Sequence, residues 1–209
     1  MSAVKEQSIQ AYLDELSSKA PTPGGGSAAA LMGAQAAALL GMVCHLTIGK
    51  PKYYAVESEM RALLEQSEAL RERLTGMVEA DIDVFNRLMA CYDMPKETEE
   101  QKSIRSDAIQ AMLREATNVP LACAKACFEV IELSRIAAEK GNSSVVTDAG
   151  VAVMSAYAGL KSAALNVYIN AESLKDKGFA EHKVQQLEQI LNDSEQAVDD
   201  IYRIVKERL

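Results

Sequence analysis

The stretch VESEMRALLEQSEALRERLTGMVEADIDVFNRLMAC, residues 56–91, decides the fold class. Met60, Leu63, Leu64, Leu70, Leu74, Met77, Val78, Phe85 and Leu88 recur at three- and four-residue steps, the period of one helical face. Polar and charged residues fill the other positions, with no proline anywhere in the stretch. The spacing predicts one long amphipathic helix, bounded before by Gly49-Lys50-Pro51 and after by the turn at Asp93 to Lys96.

One residue breaks this apolar stripe. Asp81 lies one turn after Met77 and Val78 and one turn before Phe85, whereas Asp83 points elsewhere. An unpaired buried carboxylate either finds donors or is pushed toward its neutral form. Asp81 is therefore either a functional acid–base group or an acid at a helix–helix seam paired with a Lys or Arg.

Working outward, the same alphabet continues. A first helix is expected near Ser8–Ser18, with Ile9, Leu13 and Leu16 on one side. The breaker Ala20-Pro21-Thr22-Pro23-Gly24-Gly25-Gly26 follows, and Ser27 is expected to cap a long apolar helix. Residues 28–48 approach the length that spans a bilayer, but Gln35, His45 and the Ala/Gly content favour a buried central helix. Thr98 and Gln101 form a plausible capping box for the next helix. Pro120 either opens a further helix at its first turn or kinks a continuous one. Gly141 suits the position just past a helix end, residues 142–146 read as a loop, and Thr147 opens another helix. A last helix is expected near Phe179–Leu209, with Val184, Leu187, Leu191, Val198, Ile201, Tyr202 and Val205 on one face. No alternating strand pattern occurs. The expectation is all-α: a single helical domain over residues 1–209 with about seven helices.

Two helices are rich in small residues: Gly33, Ala37 and Gly41 in one, and Ala152, Ala156, Gly159 and Ala163 in the other. Such spacing lets backbones approach closely, either in a tight core or at the centre of a dimer. Asp148, Ser155, Ser162, Asn166 and Asn170 fall roughly along one face of the second. They are either a satisfied interhelical network or the lining of a ligand site. The three glycines before Ser27 expose backbone N–H groups that suit an anion, though no Lys-Ser/Thr follows as in a Walker loop. Lys50 and Lys52 either attract an anionic group or are simply solvated.

Composition excludes several classes. The 209 residues are 48% apolar and 25% charged, ordinary for one globular domain. Trp is absent and aromatics make up 5%, so aliphatic residues and alanine must build the core. A net charge of −8 without a Lys/Arg run argues against a nucleic-acid partner. Cys44, Cys91, Cys123 and Cys127 form no CxxC pair, and with only His45 and His182 beside them no metal site is expected. They read as reduced thiols. The first twenty residues are charged and amphipathic, so a signal peptide is not expected.

The ordered set Pro21-Thr22-Pro23-Gly24-Gly25-Gly26-Ser27, Leu46-Thr47-Ile48-Gly49-Lys50, Ala80-Asp81 through Phe85, and Met94-Pro95-Lys96 resembles the cyclodeaminase domain of formiminotransferase-cyclodeaminase and its stand-alone relatives. Val119-Pro120-Leu121, Gly141-Asn142, Asp148 and Asn166-Val167 through Asn170 continue the match, over roughly residues 10–205. The resemblance implies a cytoplasmic, homodimeric helical enzyme that rearranges a one-carbon unit on tetrahydrofolate, with the folate as substrate and no further cofactor. Asp81 matches the catalytic aspartate of the Val-x-Ala-Asp-x-x-x-Phe segment. Gly24, Gly25, Gly26, Ser27, Asn142, Asp148 and Asn166 are expected to shape the pterin pocket, and Lys50 and Lys52 to meet the glutamate tail.

Residues 44–50 and 162–168 are similar to the short stand-alone cyclohydrolases, so hydrolysis of 5,10-methenyltetrahydrofolate to 10-formyltetrahydrofolate is the expected reaction. The alternatives are a cyclodeaminase that releases ammonia from formiminotetrahydrofolate, and a non-catalytic helical dimerisation module.

Overall fold

A computed structural model of the chain describes residues 4–209, and among these every regular element is helical. Six α-helices follow one another: α1 (Ile9–Leu16), α2 (Gly25–His45), α3 (Glu57–Tyr92), α4 (Glu99–Lys140), α5 (Val146–Glu172) and α6 (Lys177–Glu207). Short 3-10 turns at Val4–Glu6, Pro51–Val56 and Ser143–Val145 link them.

Helix α2 is the hub, packed against α3, α4 and α5. Ala29, Ala36, Ala37, Leu40, Val43 and Cys44 are fully buried in it. It is apolar enough to cross a membrane by composition, with a mean hydropathy of 1.6 in its most apolar window, but most of that window is enclosed by the neighbouring helices. The stripe of α3 behaves as its period demands: Met60, Leu63, Leu70, Leu74, Val78 and Leu88 are all buried. Full burial of Met60, Leu63 or Leu74 stabilises the fold by about 1.5–3 kcal/mol each.

Glycines set the α2–α3 register. A Cβ on Gly41 would meet Leu64, Ser67 and Glu68, one on Gly33 would meet Leu74, and one on Gly26 would meet Asp81. The two helices therefore run antiparallel, and Ser67, Leu74 and Asp81 occupy one α3 seam at seven-residue steps. A Cβ on Gly159 of α5 would lie 2.9 Å from Ala29 O and 3.3 Å from Gly33 N. The small residues of α2 and α5 are thus consumed by close packing within one chain.

The helix count is six where about seven were expected, because Pro120 lies inside a continuous α4. A proline there cannot donate to the carbonyl four residues back, which is Ala116 O. That carbonyl instead accepts a 2.6 Å hydrogen bond from Asn170 Nδ2 of α5. The side chain of one helix replaces the backbone donor missing from another.

Two local expectations need correction. On α1 the buried residue is Tyr12, 6% exposed, while Ile9 is 82% exposed and Leu13 is also outside the core. A two-turn helix carries too few apolar residues for its pattern to choose a side. Helix α2 starts at Gly25, and Ser27 caps from inside: its Oγ accepts from Gly24 N at 3.0 Å and donates to Gly24 O at 2.8 Å. Gly141 does follow α4, but with φ −65°, and its lack of a side chain matters because a Cβ would sit 2.5 Å from Ala137 O. The Thr98–Gln101 capping box forms as expected, with both reciprocal bonds at 3.1 Å.

The proline–asparagine compensation is testable. Asn170→Ala should cost about 1–3 kcal/mol by leaving a carbonyl unpaired in the interior. In a Pro120→Ala background, where the backbone donor returns, that cost should shrink. Additive denaturation energies in the double-mutant cycle would refute the link.

Candidate functional site

The site grows from the last rung of the α2–α3 seam. Gly26 in the first turn of α2 has no side chain, and the space its Cβ would need is held by the Asp81 carboxylate, with Oδ1 2.0 Å from the ideal Cβ position. No other residue type leaves room for both helices at this approach. The carboxylate consequently rests against the amino-terminal turn of α2, where backbone N–H groups lack intrahelical acceptors and the helix dipole favours negative charge.

Two opposing influences act on Asp81. Burial between the helices pushes its carboxyl above the ordinary carboxylate range, and the backbone N–H of Ser27 pulls it back. No Lys or Arg forms an ion pair with Asp81 among the described residues. The alternative of an acid neutralised by a cation at the seam is therefore not what the chain builds. What it builds is a half-buried carboxylate with raised basicity, held by backbone dipoles.

Gly24, Gly25, Gly26 and Ser27 are brought together with Asp81. Asn166 falls in the same region by register: Gly159 lies against Ala29 and Gly33, and two antiparallel turns further on α5 reaches the level of the glycine turn. Its Nδ2 donates to Ser162 O of its own helix at 3.0 Å.

Lys50, Lys52, Asn142 and Asp148 are not brought there. They gather around the carboxy-terminal end of α2, and its 21 residues separate the two ends by about 30 Å. Asn142 is a structural clamp: its N–H donates to Thr47 Oγ1 at 2.9 Å and its Nδ2 to Leu46 O at 2.8 Å. Its Oδ1 accepts from Ser144 N and Tyr53 Oη. Lys50 and Lys52 are exposed, the latter 5.4 Å from the Tyr53 ring centroid. Asp148 occupies the first turn of α5 nearby. The motifs themselves gave no sign of this separation, because one long helix divides the two groups.

One residue at the site was missed. Tyr12 is buried, lies against the Ser27 side chain and senses the charge of Asp81. A tyrosine off the assumed apolar side of α1 was the available signal.

With the fold and this carboxylate in place, the class follows: the profile of the formiminotransferase-cyclodeaminase family matches residues 8–189. The chain belongs to that family. A methenyltetrahydrofolate cyclohydrolase from Methylorubrum extorquens is 53% identical, over 97% of this chain and 98% of its own length. The formimidoyltransferase-cyclodeaminase of Rattus norvegicus is 32% identical over 90% of this chain, which spans only 35% of that longer protein. The crystal structure of a formiminotetrahydrofolate cyclodeaminase from Thermotoga maritima superposes with a TM-score of 0.83 at 28% identity, covering 99% of this chain and 97% of the other.

The glycine turn yields a paired test. Gly26→Ala must displace the Asp81 carboxylate, whereas a Cβ on Gly25 meets nothing within 4 Å. Gly26→Ala should lower turnover about a hundredfold, the effect of roughly 1 Å of misplacement, with Gly25→Ala close to the parent. Equal activities in the two variants would show that the close approach has no bearing on function.

Proposed function

We propose that this chain is a methenyltetrahydrofolate cyclohydrolase, adding water to 5,10-methenyltetrahydrofolate to give 10-formyltetrahydrofolate. The observation that carries this is its end-to-end likeness to a relative of that name, with the Asp81–Gly26 contact supplying the chemistry. The methenyl carbon is an electrophilic amidinium, so water needs a base and a fixed approach. The Asp81 carboxylate takes a proton as the water oxygen bonds to that carbon. In the resulting carbinolamine the carbon–N5 bond breaks, N5 receives the proton held by Asp81, and the hydroxyl proton leaves to solvent as the formyl C=O forms. One proton is released overall, which balances the positive charge of the substrate. Before reaction the carboxylate also favours the cationic substrate over the neutral product.

The glycine turn and Ser27 hold the carboxylate, and Asn166 stands level with them on α5. Within one chain Lys50 and Lys52 are too distant to meet a tail bound at Asp81. A homodimer is the assembly we favour, because the outer face of α5 leaves Val151, Met154, Leu165 and Ile169 exposed at helical spacing. Four free cysteines suit a reducing, cytoplasmic setting without metal or further cofactor. The likeness to a solved cyclodeaminase supports a second reaction on the same site, in which N10 attacks a formimino carbon and ammonia leaves.

Loss of near-ultraviolet absorbance of 5,10-methenyltetrahydrofolate, against a blank at each pH, tests the reading. Parent protein should accelerate it, and Asp81→Asn should lower kcat by about a hundredfold or more. No acceleration, with ammonia released from formiminotetrahydrofolate, would install the second reaction instead. Because the base must be ionised, kcat/KM should fall as pH drops, with its inflection above the ordinary aspartate range.

Stability carries the complementary sign. The fold favours protonated Asp81, so the unfavourable contribution is absent below the unfolded-state pKa and grows as pH rises through the folded-state one. Asp81→Asn should gain Tm over the parent near neutrality and lose that gain in acid. For the assembly, light scattering should report a dimer for the parent and a monomer for Leu165→Glu; an unchanged mass would remove α5 from the interface.

A further inference from the structure

Helix α2 begins without the side chain that ordinarily caps a helix. Its N-cap is Gly24, whereas Ser, Thr, Asp or Asn is preferred there, because a side-chain oxygen accepts the free N–H of the second or third helical residue. Neither backbone nor space requires the glycine. Gly24 has φ −134° and ψ −160°, an extended conformation open to any residue. A Cβ there would find its nearest neighbour, Pro21 O, at 3.8 Å, an ordinary contact. Glycine at this place is explained by the oxygen it omits.

The oxygen comes from α3 instead. The Asp81 carboxylate fills the space of the absent Gly26 side chain, one residue before Ser27, and the Ser27 N–H acts on it. The backbone bonds of the turn start only at Ala28 N, which donates to Gly24 O at 3.0 Å, so the Ser27 N–H is left over. The turn still needs bracing, since Gly25 and Gly26 are poor helix formers. Ser27 braces it in reverse: fully buried, its hydroxyl accepts from Gly24 N and donates to Gly24 O. That holds the turn without consuming the N–H.

We propose that the reactive carboxylate is itself the cap of α2: position 24 is a glycine so that the Ser27 N–H stays with Asp81, and the Ser27 hydroxyl is a positioning group that fixes that N–H without competing for it. This rests on the reading of Asp81 as the base and deepens it. The charges around Asp81 leave the N–H in control. Tyr12 is the titratable group that faces it from α1, and burial keeps that phenol protonated. The titratable groups of α2, Cys44 and His45, lie at its far end. The ion pairs Arg73–Glu129 and Arg87–Glu115 tie α3 to α4 and set residue 81 level with Pro120 and Leu121, while α5 brings Asn166. On α3 itself, Glu79 accepts from Val4 N and Asp83 pairs with Arg87.

The experiment compares parent, Gly24→Ser, Gly24→Ala and Ser27→Ala. The readouts are carbon-13 NMR titration of the Asp81 carboxyl, assigned with Asp81→Asn, the pH profile of kcat/KM on methenyltetrahydrofolate, and Tm. In Gly24→Ser the new oxygen takes the Ser27 N–H, so the carboxyl titration and the acid inflection should both rise by about 0.5–1 on the pH scale, without a Tm below that of Gly24→Ala. Gly24→Ala adds the Cβ without the oxygen and should titrate as the parent does, whatever its kcat. Ser27→Ala should move the titration upward too, with a lower Tm. A merely structural cap would give Gly24→Ser a higher Tm at the parental titration, and that result would overturn the proposal, as would an equal shift in Gly24→Ala. The NMR titration needs no turnover, so the two readings separate. The expected shifts in a protein that does not hydrolyse the substrate would keep the positioning and remove the reaction. A hydrolysing parent whose Gly24→Ser and Ser27→Ala variants titrate unchanged would remove the positioning alone, and failure of both readouts would remove both.

Discussion

A single missing Cβ determines how the amino-terminal half is built. The Asp81 carboxylate fills the space that any side chain at position 26 would take. For that to happen, α2 and α3 must approach closely along their whole shared length, which Gly33 and Gly41 permit at the two preceding rungs. The seven-residue repeat of Ser67, Leu74 and Asp81 places a hydroxyl, an apolar group and an acid on one seam. The fold does not create the acid's position separately from its core. The same register that buries Leu74 delivers Asp81 to the start of α2.

The aspartate's charge is disfavoured by this placement. Desolvation makes the carboxylate a better base, while the helix terminus keeps it from being merely a neutral buried acid. Tyr12, buried against the Ser27 side chain, lies close enough to sense the same charge. Such local costs are affordable because they are offset by an Ala-rich hub whose helices touch almost backbone to backbone. The Asn170–Ala116 bond shows the opposite policy at a structural position, where a missing donor is replaced rather than left open.

Much of the architecture was legible because it rests on period and punctuation. The stripe of α3, the Thr98 capping box and the turns near Gly49, Asp93 and Gly141 all follow from local chemistry. Asp81 was legible for the same reason, as an acid that falls in phase with the apolar stripe. The continuity of α4 through Pro120 was not, since it depends on a side chain fifty residues later. Nor was the burial of Tyr12, because two turns of helix do not fix their own orientation. Within one chain, Asn142, Asp148, Lys50 and Lys52 are separated from the glycine turn by the length of α2. Sequence motifs carry no measure of the rigid rod between them, and α2 holds the two groups at its opposite ends.

The relation between the two reactions of this family follows from the same geometry. Hydrolysis of the methenyl bridge and closure of a formimino group both pass through a tetrahedral carbon joined to N5 of the folate. Each needs one proton removed from the attacking group and one delivered to the group that departs. A lone carboxylate of raised basicity, unpaired with any cation, can serve either sequence, since it is equally able to hold a proton and to release it. What separates the reactions is then the attacking group that reaches the carbon: an external water in one, N10 of the folate in the other.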